Sequence, residues 1–214
     1  MVTLVLASAS PRRHELILLL SYPTLIIVPD VDEESIDHTY PAHNAVETAR
    51  LKAEAAAASY QGNAVIVAAD TTVAIRRETL GKPADAAAAR VMLQQLRGRT
   101  HQVHTGIVVL TLPDRRSASA ISTTDVTMRD YNDAEIEEYV ASGDPLDKAG
   151  AYAIQNASFR PVATLDGCFT GVVGLSLCRL TQALHRAGVP VDLAVSDHDA
   201  RRCQTCRALA RDLL

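Results

Sequence analysis

An apolar run at residues 2–7 leads into Ser8-Ala-Ser-Pro-Arg-Arg13, and Leu16, Leu19 and Leu20 follow at helical spacing. Ser10 suits the N-cap of that helix and Pro11 its first position. A strand that delivers a hydroxyl-rich turn to a helix N-terminus makes an anion site, because unpaired backbone N–H groups and the helix dipole both favour phosphate. Arg12 and Arg13 add forked donors in the first turn, where a cation opposes the dipole. An anionic ligand resolves that conflict; a capped helix with two solvated arginines is the plainer account.

Other stretches offer the rest of a phosphate chemistry. Asp30-Val-Asp-Glu-Glu34 is a carboxylate cluster after a strand. Such a cluster can hold Mg²⁺ together with phosphate oxygens, or can simply be a solvated loop. Asp70 stands where the apolar run 64–69 is expected to end, beyond a strand's carboxyl end, where ligands gather in open α/β sheets. A carboxylate there can bind metal or take a proton from water, or can start a turn. Thr71 and Thr72 beside it are within reach of a ligand. Leu80-Gly-Lys-Pro83 projects Lys82 from a constrained loop, which suits a phosphate, as it suits an ordinary surface lysine. Lys52 interrupts an alanine-rich helix and reads as an exposed charge. Gln155 follows an apolar stretch, and its amide can pair with a base edge or serve as a strand-end polar group.

The elements that must position these residues follow from hydrophobic period and punctuation. Strands are expected at 2–7, 24–28, 64–69, 101–112 and 118–128. Residues 73–75 are expected to pair with 79–80 through the turn 76–78. Shorter strand pieces are expected at 150–154, 162–165 and 172–173. Helices are expected after Pro11, at 45–59, at 85–96 with Asp85 as cap, at 133–141 and at 175–187 with Gly188 as its stop. Asn132 and Glu135 have the spacing of a capping box. Strands and helices alternate early and mix later, which implies an α/β fold with a mixed twisted sheet in two lobes.

Composition bounds the function. The chain has 214 residues, 48% of them hydrophobic and 21% charged, which is enough for a substantial core. The net charge of −4 argues against nucleic acid as the main partner. No apolar run reaches the length of a membrane span and no basic segment precedes residues 2–7, so we expect no membrane partner, no signal peptide and a cytoplasmic protein. Cys168, Cys178, Cys203 and Cys206 are then expected as reduced thiols. Cys203 and Cys206, with His198 nearby, supply too few ligands for a zinc site of their own.

Taken together and in order, these stretches resemble the Maf family of nucleoside triphosphate pyrophosphatases. The resemblance rests on Leu6-Ala-Ser-Ala-Ser-Pro-Arg-Arg13, Asp30-Val-Asp-Glu33, Ala49-Arg-Leu-Lys-Ala53, Ala69-Asp-Thr71, Leu80-Gly-Lys-Pro83, Leu96-Arg-Gly-Arg-Thr-His101, Asp147-Lys-Ala-Gly-Ala-Tyr152 with Ile154-Gln155, and Val172-Val-Gly-Leu175. It implies a pyrophosphatase domain over 1–190, with 191–214 as a C-terminal extension. It also implies a fold like inosine triphosphate pyrophosphatase with a central cleft, a nucleoside triphosphate substrate, a divalent cation (Mg²⁺ or Mn²⁺) and a homodimer. By position, Asp70 becomes the proton acceptor and a metal ligand, and Glu33 a second metal ligand, a role that adjacent Asp32 can exchange with it. Ser8, Arg13, Lys52 and Lys82 hold the triphosphate. Arg12, Thr71 and Gln155 match the branch acting on dTTP and UTP. The 7-methyl-GTP branch carries Trp in the first motif and Gln after the Asp. A regulator of septum formation that only binds nucleotide is the alternative of another class. Two departures from the family pattern lie near the expected base pocket. Asn156 stands where Gly is usual, and Gly167-Cys-Phe-Thr-Gly171 with Ser176 replaces the usual turn and Pro.

Overall fold

The computed structural model describes residues 2–33, 36, 40–76 and 78–191. In chain order the elements are β1 (Leu4–Ala7), α1 (Pro11–Leu18), β2 (Thr24–Ile27), α2 (Pro41–Ser59), β3 (Ala64–Ile75), β4 (Glu78–Leu80), α3 (Ala86–Leu96), β5 (Thr100–Leu112), β6 (Ser117–Met128), α4 (Asp133–Ala141), β7 (Val162–Asp166), α5 (Phe169–Val173) and α6 (Leu177–Arg186). Two 3-10 turns, Asp144–Asp147 and Ala149–Ala151, lie between α4 and β7. Residues 192–214, including His198, Cys203 and Cys206, lie outside the described residues.

All seven strands form one mixed sheet in the order β2-β1-β3-β5-β6-β7, with β4 paired to β3. β1 is parallel to β2 and β3; the other pairings are antiparallel. The long strands β3, β5 and β6 run through two lobes. In the first lobe the alanine stripe of α2 packs on Val5, Ile66, Ala68, Val108 and Leu110. On the opposite face α1 and α6 cover Leu4, Leu6, Val65, Val67, Ile107 and Val109. In the second, α3 and α4 pack on Val73, Ile75, Val103, Val126 and Met128. On β3 these cores stop at Ala69 and resume at Val73, and the residues between them are polar.

Local signals explain most element ends. Asp85 caps α3 by accepting from the Ala88 N–H at 2.8 Å, and Asn132 with Glu135 forms a full capping box on α4. Val73 pairs with Leu80 across the expected hairpin. Gly188 ends α6 at φ 80°. No helix among the described residues is long and apolar enough to cross a membrane.

Several expectations need correction. β3 does not end at Asp70 but runs unbroken to Ile75, because β5 pairs with it from Ala64 to Ala74 and β4 pairs with Val73–Ile75. α2 begins at Pro41, four residues earlier than expected. Ser10 is the N-cap residue of α1 but makes no side-chain cap bond; its own N–H donates to Ser8 Oγ at 3.1 Å. Residues 150–154 are no strand, since Gly150 turns the chain at φ 70°. Val172 and Val173 end a short helix, not a strand, started by Cys168 Sγ accepting from the Gly171 N–H. Cys168 is a buried thiol as expected, whereas Cys178 is disulfide-bonded.

Candidate active site

The partner of β3 on one edge changes at its midpoint. β1 accompanies it up to the pair Ala7–Ala68, and β4 joins at Val73. Among the described residues no strand lies along that edge at 69–72, and the cleft opens there. Successive strand residues point to opposite faces. Asp70 therefore turns to the α2 side and Thr71 to the α1 side, and an edge is the one place where a ligand can meet both. Opposite Asp70 in β5 stands Gly106. A Cβ there would lie 2.4 Å from the Ala45 backbone, so this glycine lets α2 sit close to the sheet.

That approach brings Lys52 to Asp70. Its Nζ donates to Asp70 Oδ1 at 2.7 Å and lies 3.0 Å from Glu33 Oε1, so two carboxylates converge on one ammonium. Lys52 is buried, not the exposed charge its alanine surroundings suggested. Its spacing held the signal: with Ala45, Thr48, Ala49, Ala53 and Ala56 it falls on the buried stripe of α2.

Arg13 closes the other side. Its Nε donates to the Gly174 carbonyl at 2.8 Å, Nη2 to Thr71 Oγ1 at 3.2 Å and Nη1 to Ser8 Oγ at 3.5 Å. No carboxylate among the described residues pairs with it. Burial lowers its pKa, and the more distant Asp70 and Glu33 partly offset this. An arginine stays charged in proteins, so this guanidinium is a positive charge held by neutral oxygens. Thr71 Oγ1 also bonds Thr105 Oγ1 at 3.0 Å, which fixes it against β5.

The cleft has a volume of about 850 Å³, and its lining includes Ser8, Arg12, Arg13, Glu33, Lys52, Asp70, Thr71, Lys82 and Gln155. The structure thus brings to one cavity every site residue that the family resemblance implied; Thr72, Asp30 and Asp32, the alternative to Glu33, are not in its lining, and Glu34 lies outside the described residues. Lys82 and Gln155 are exposed, and neither has a bonded partner among the described residues. Arg12 Nη1 lies 3.9 Å from Asp147 Oδ2. The sequence reading missed Lys148, a buried lysine of the cleft wall that bonds Asp144 and Asp147. Its signal was the i,i+4 spacing from Asp144. Tyr152, also in the wall, bonds His101 Nε2 at 2.8 Å, and burial lowers the pKa of that histidine to about 4. A second cavity, beside Arg76, Gln102, His104 and Asp125, contains none of the expected residues.

Residues 3–187 match the family model of Maf-like proteins. The chain belongs to the Maf family. Among its Maf relatives, a protein of Thermomicrobium roseum named dTTP/UTP pyrophosphatase is 42% identical over 206 residues, covering 96% of this chain and 93% of the relative. One of the same name from Myxococcus xanthus is 45% identical, covering 88% and 94%. A solved nucleoside-triphosphatase (dITP/XTP pyrophosphatase) structure from Mycobacterium abscessus superposes with a TM-score of 0.45 at 14% identity, covering 99% of this chain and 98% of that one.

Metal-binding capacity follows from the donor set. Among the described residues no group of three or more His, Cys, Asp or Glu side chains could hold an ion unaided. Asp70 and Glu33 nonetheless converge, and Mg²⁺ is commonly held by one or two carboxylates with phosphate oxygens and water completing its shell. The residues of this Maf cleft fit an ion that arrives with a phosphorylated ligand.

Proposed function

We propose that this protein hydrolyses nucleoside triphosphates, dTTP and UTP foremost, to the monophosphate and pyrophosphate. One observation carries the reading: two carboxylates paired to Lys52 share one cleft with Arg13, which has no carboxylate partner among the described residues, and with Lys82, which has no bonded partner among them. That shared lining supports reading Asp70 as the proton acceptor and Arg13 and Lys82 as the phosphate cations. The names of the relatives support the choice of substrate.

Asp70 takes the proton of the attacking water. Lys52 holds its Oδ1 and leaves the other oxygen to work. Asp70 and Glu33 would hold a divalent cation, which when bound neutralises phosphate oxygens and makes water more acidic. Arg13 and Lys82 receive the negative charge of the leaving pyrophosphate, in a site already organised for it. Ser8 keeps the turn before α1 in shape, since its Oγ accepts from both the Ser10 N–H and Arg13. Arg12, Thr71 and Gln155 form the nucleoside end. Product analysis with Mg²⁺ or Mn²⁺ is the test: pyrophosphate should leave dTTP and UTP, and diphosphate plus orthophosphate as the products would overturn the reading.

A further inference from the structure

Gln155 is exposed at the cleft, yet the turn that carries it is tied down from both sides. The Asn156 N–H donates to the Ala153 carbonyl at 3.1 Å. Asn156 Oδ1 accepts from the Ser158 and Phe159 N–H groups at 3.1 and 2.8 Å. Those two bonds decide which end of the amide faces away, because only the oxygen can accept. Nδ2 is left to donate to Asp144 Oδ2 at 3.1 Å. Asp144 is itself fixed: Tyr139 donates to the same oxygen at 2.7 Å, and Lys148 donates to Oδ1 at 2.9 Å. Lys148 also bonds the Asp144 carbonyl and Asp147 Oδ1, so its three donors are engaged and it acts as a strut. Asp147 in turn faces Arg12. A continuous polar chain therefore links the turn of Gln155 to Arg12, across more than 140 positions of sequence.

We propose that Asn156 is a positioning residue for substrate choice: its side-chain amide ties the Gln155 turn to Asp144 and so sets where the Gln155 amide meets the base. This rests on reading Gln155 as a base contact. Glycine, usual here in the family pattern, has no side chain to make the tie, so the tie belongs to this chain's own residues. Burial opposes ionisation of Asp144, but the bonds from Tyr139 and Lys148 prevail and hold its carboxyl below the usual range.

Two variants separate the tie from the turn's internal caps. Asn156→Asp can keep both backbone caps but sets a second carboxylate against Asp144 Oδ2. Among the described residues the charged and titratable groups that bond Asp144 are Tyr139 and Lys148, with Asp147 on Lys148 and Arg12 beside Asp147 behind them. At neutral pH the like charges push the turn away; in acid one shared proton restores a hydrogen bond. Asn156→Ala loses tie and caps together. The readout is the ratio of kcat/KM for UTP to that for GTP on each variant, in which acid losses common to both substrates cancel. At about pH 7.5 both variants should lose roughly tenfold in this ratio, with KM for UTP rising more than kcat falls. At about pH 5 Asn156→Asp should regain most of the ratio and Asn156→Ala none. Should Asn156→Ala prove unfolded by its melting curve, Asn156→Asp carries the test alone. Gln155→Ala is the reference. If it changes the ratio while both Asn156 variants keep the wild-type value, the tie is overturned and the base reading stands. Failure of Asn156→Asp to recover in acid overturns the tie as well. If Gln155→Ala leaves the ratio unchanged, the base reading falls and takes this proposal with it.

Discussion

Asp70 carries the heaviest chemical assignment, and its surroundings sharpen what its loss should do. Lys52 holds one oxygen at 2.7 Å, so Asp70→Asn exchanges an ionic bond for a weaker one in a half-buried place while conserving shape. Losing a positioned general base typically costs about 10²-fold or more in rate. We therefore expect kcat on dTTP to fall by at least about 10² with the protein still folded by circular dichroism and thermal melting. Near-normal turnover in a folded Asp70→Asn protein would remove it from the mechanism. Residues of this kind were legible in part. Asp70, Glu33, Ser8 and Lys82 stood out by type and by the family pattern. The bond between Lys52 and Asp70 did not, because nothing at either position alone states that α2 crosses β3 there. Asn156 is the sharper lesson, since it registered as a departure and its bonds emerge only once Asp144 is placed beside it.

At the level of elements, the approach of α2 to the sheet decides whether Lys52 reaches Asp70. The notch at Gly106 permits it, and what a side chain would strike is backbone, which cannot swing aside. Gly106→Ala should cost about 1–3 kcal/mol, the usual penalty of overpacking. It should also lower activity more than the loss of stability explains, because relief comes from moving the helix that carries Lys52. Denaturant titration and kcat measured on the same preparation check this; a variant within about 0.5 kcal/mol of wild type, the range of neutral surface changes, and fully active would refute it. Element by element, caps and long alternating strands were readable: Asp85, Asn132 with Glu135, and the hairpin after Val73 all lie where local chemistry put them. The failures share one cause. Short apolar runs such as 150–154 and 172–173 lack a period, so nothing local distinguishes a strand from a turn or a brief helix. Asp70 was set at a strand end for a related reason, since the polar waist between two cores looks, in sequence, like the end of a strand.

Across the whole molecule, groups from positions 8–13, 33, 52, 70–71, 82 and 155 meet in one cleft between two lobes. On the proposed function, such a cleft should couple ligand binding to stability, because a nucleotide would contact both lobes and bring Arg13 an anion, which it does not have among the described residues. A ligand at about 100 times its Kd adds roughly 2.7 kcal/mol to a folded state that alone binds it. For a chain of this size each kcal/mol is worth about 2–4 °C in Tm, so the expected rise is roughly 5–11 °C. The probe is a UTP analogue with a non-hydrolysable bridge between the α- and β-phosphates, with Mg²⁺ present, followed by scanning calorimetry. Lys82→Ala provides the internal control. Lys82 is exposed and makes no bond among the described residues, so the ligand-free variant should melt with the wild type to within the small effect of a surface substitution. At the same analogue concentration its Tm rise should be smaller, because a phosphate contact is gone while the lobes remain intact. No rise in the wild type would sever the cleft from nucleotide binding. An equal rise in Lys82→Ala would take that lysine off the triphosphate and leave Arg13 as its principal cation.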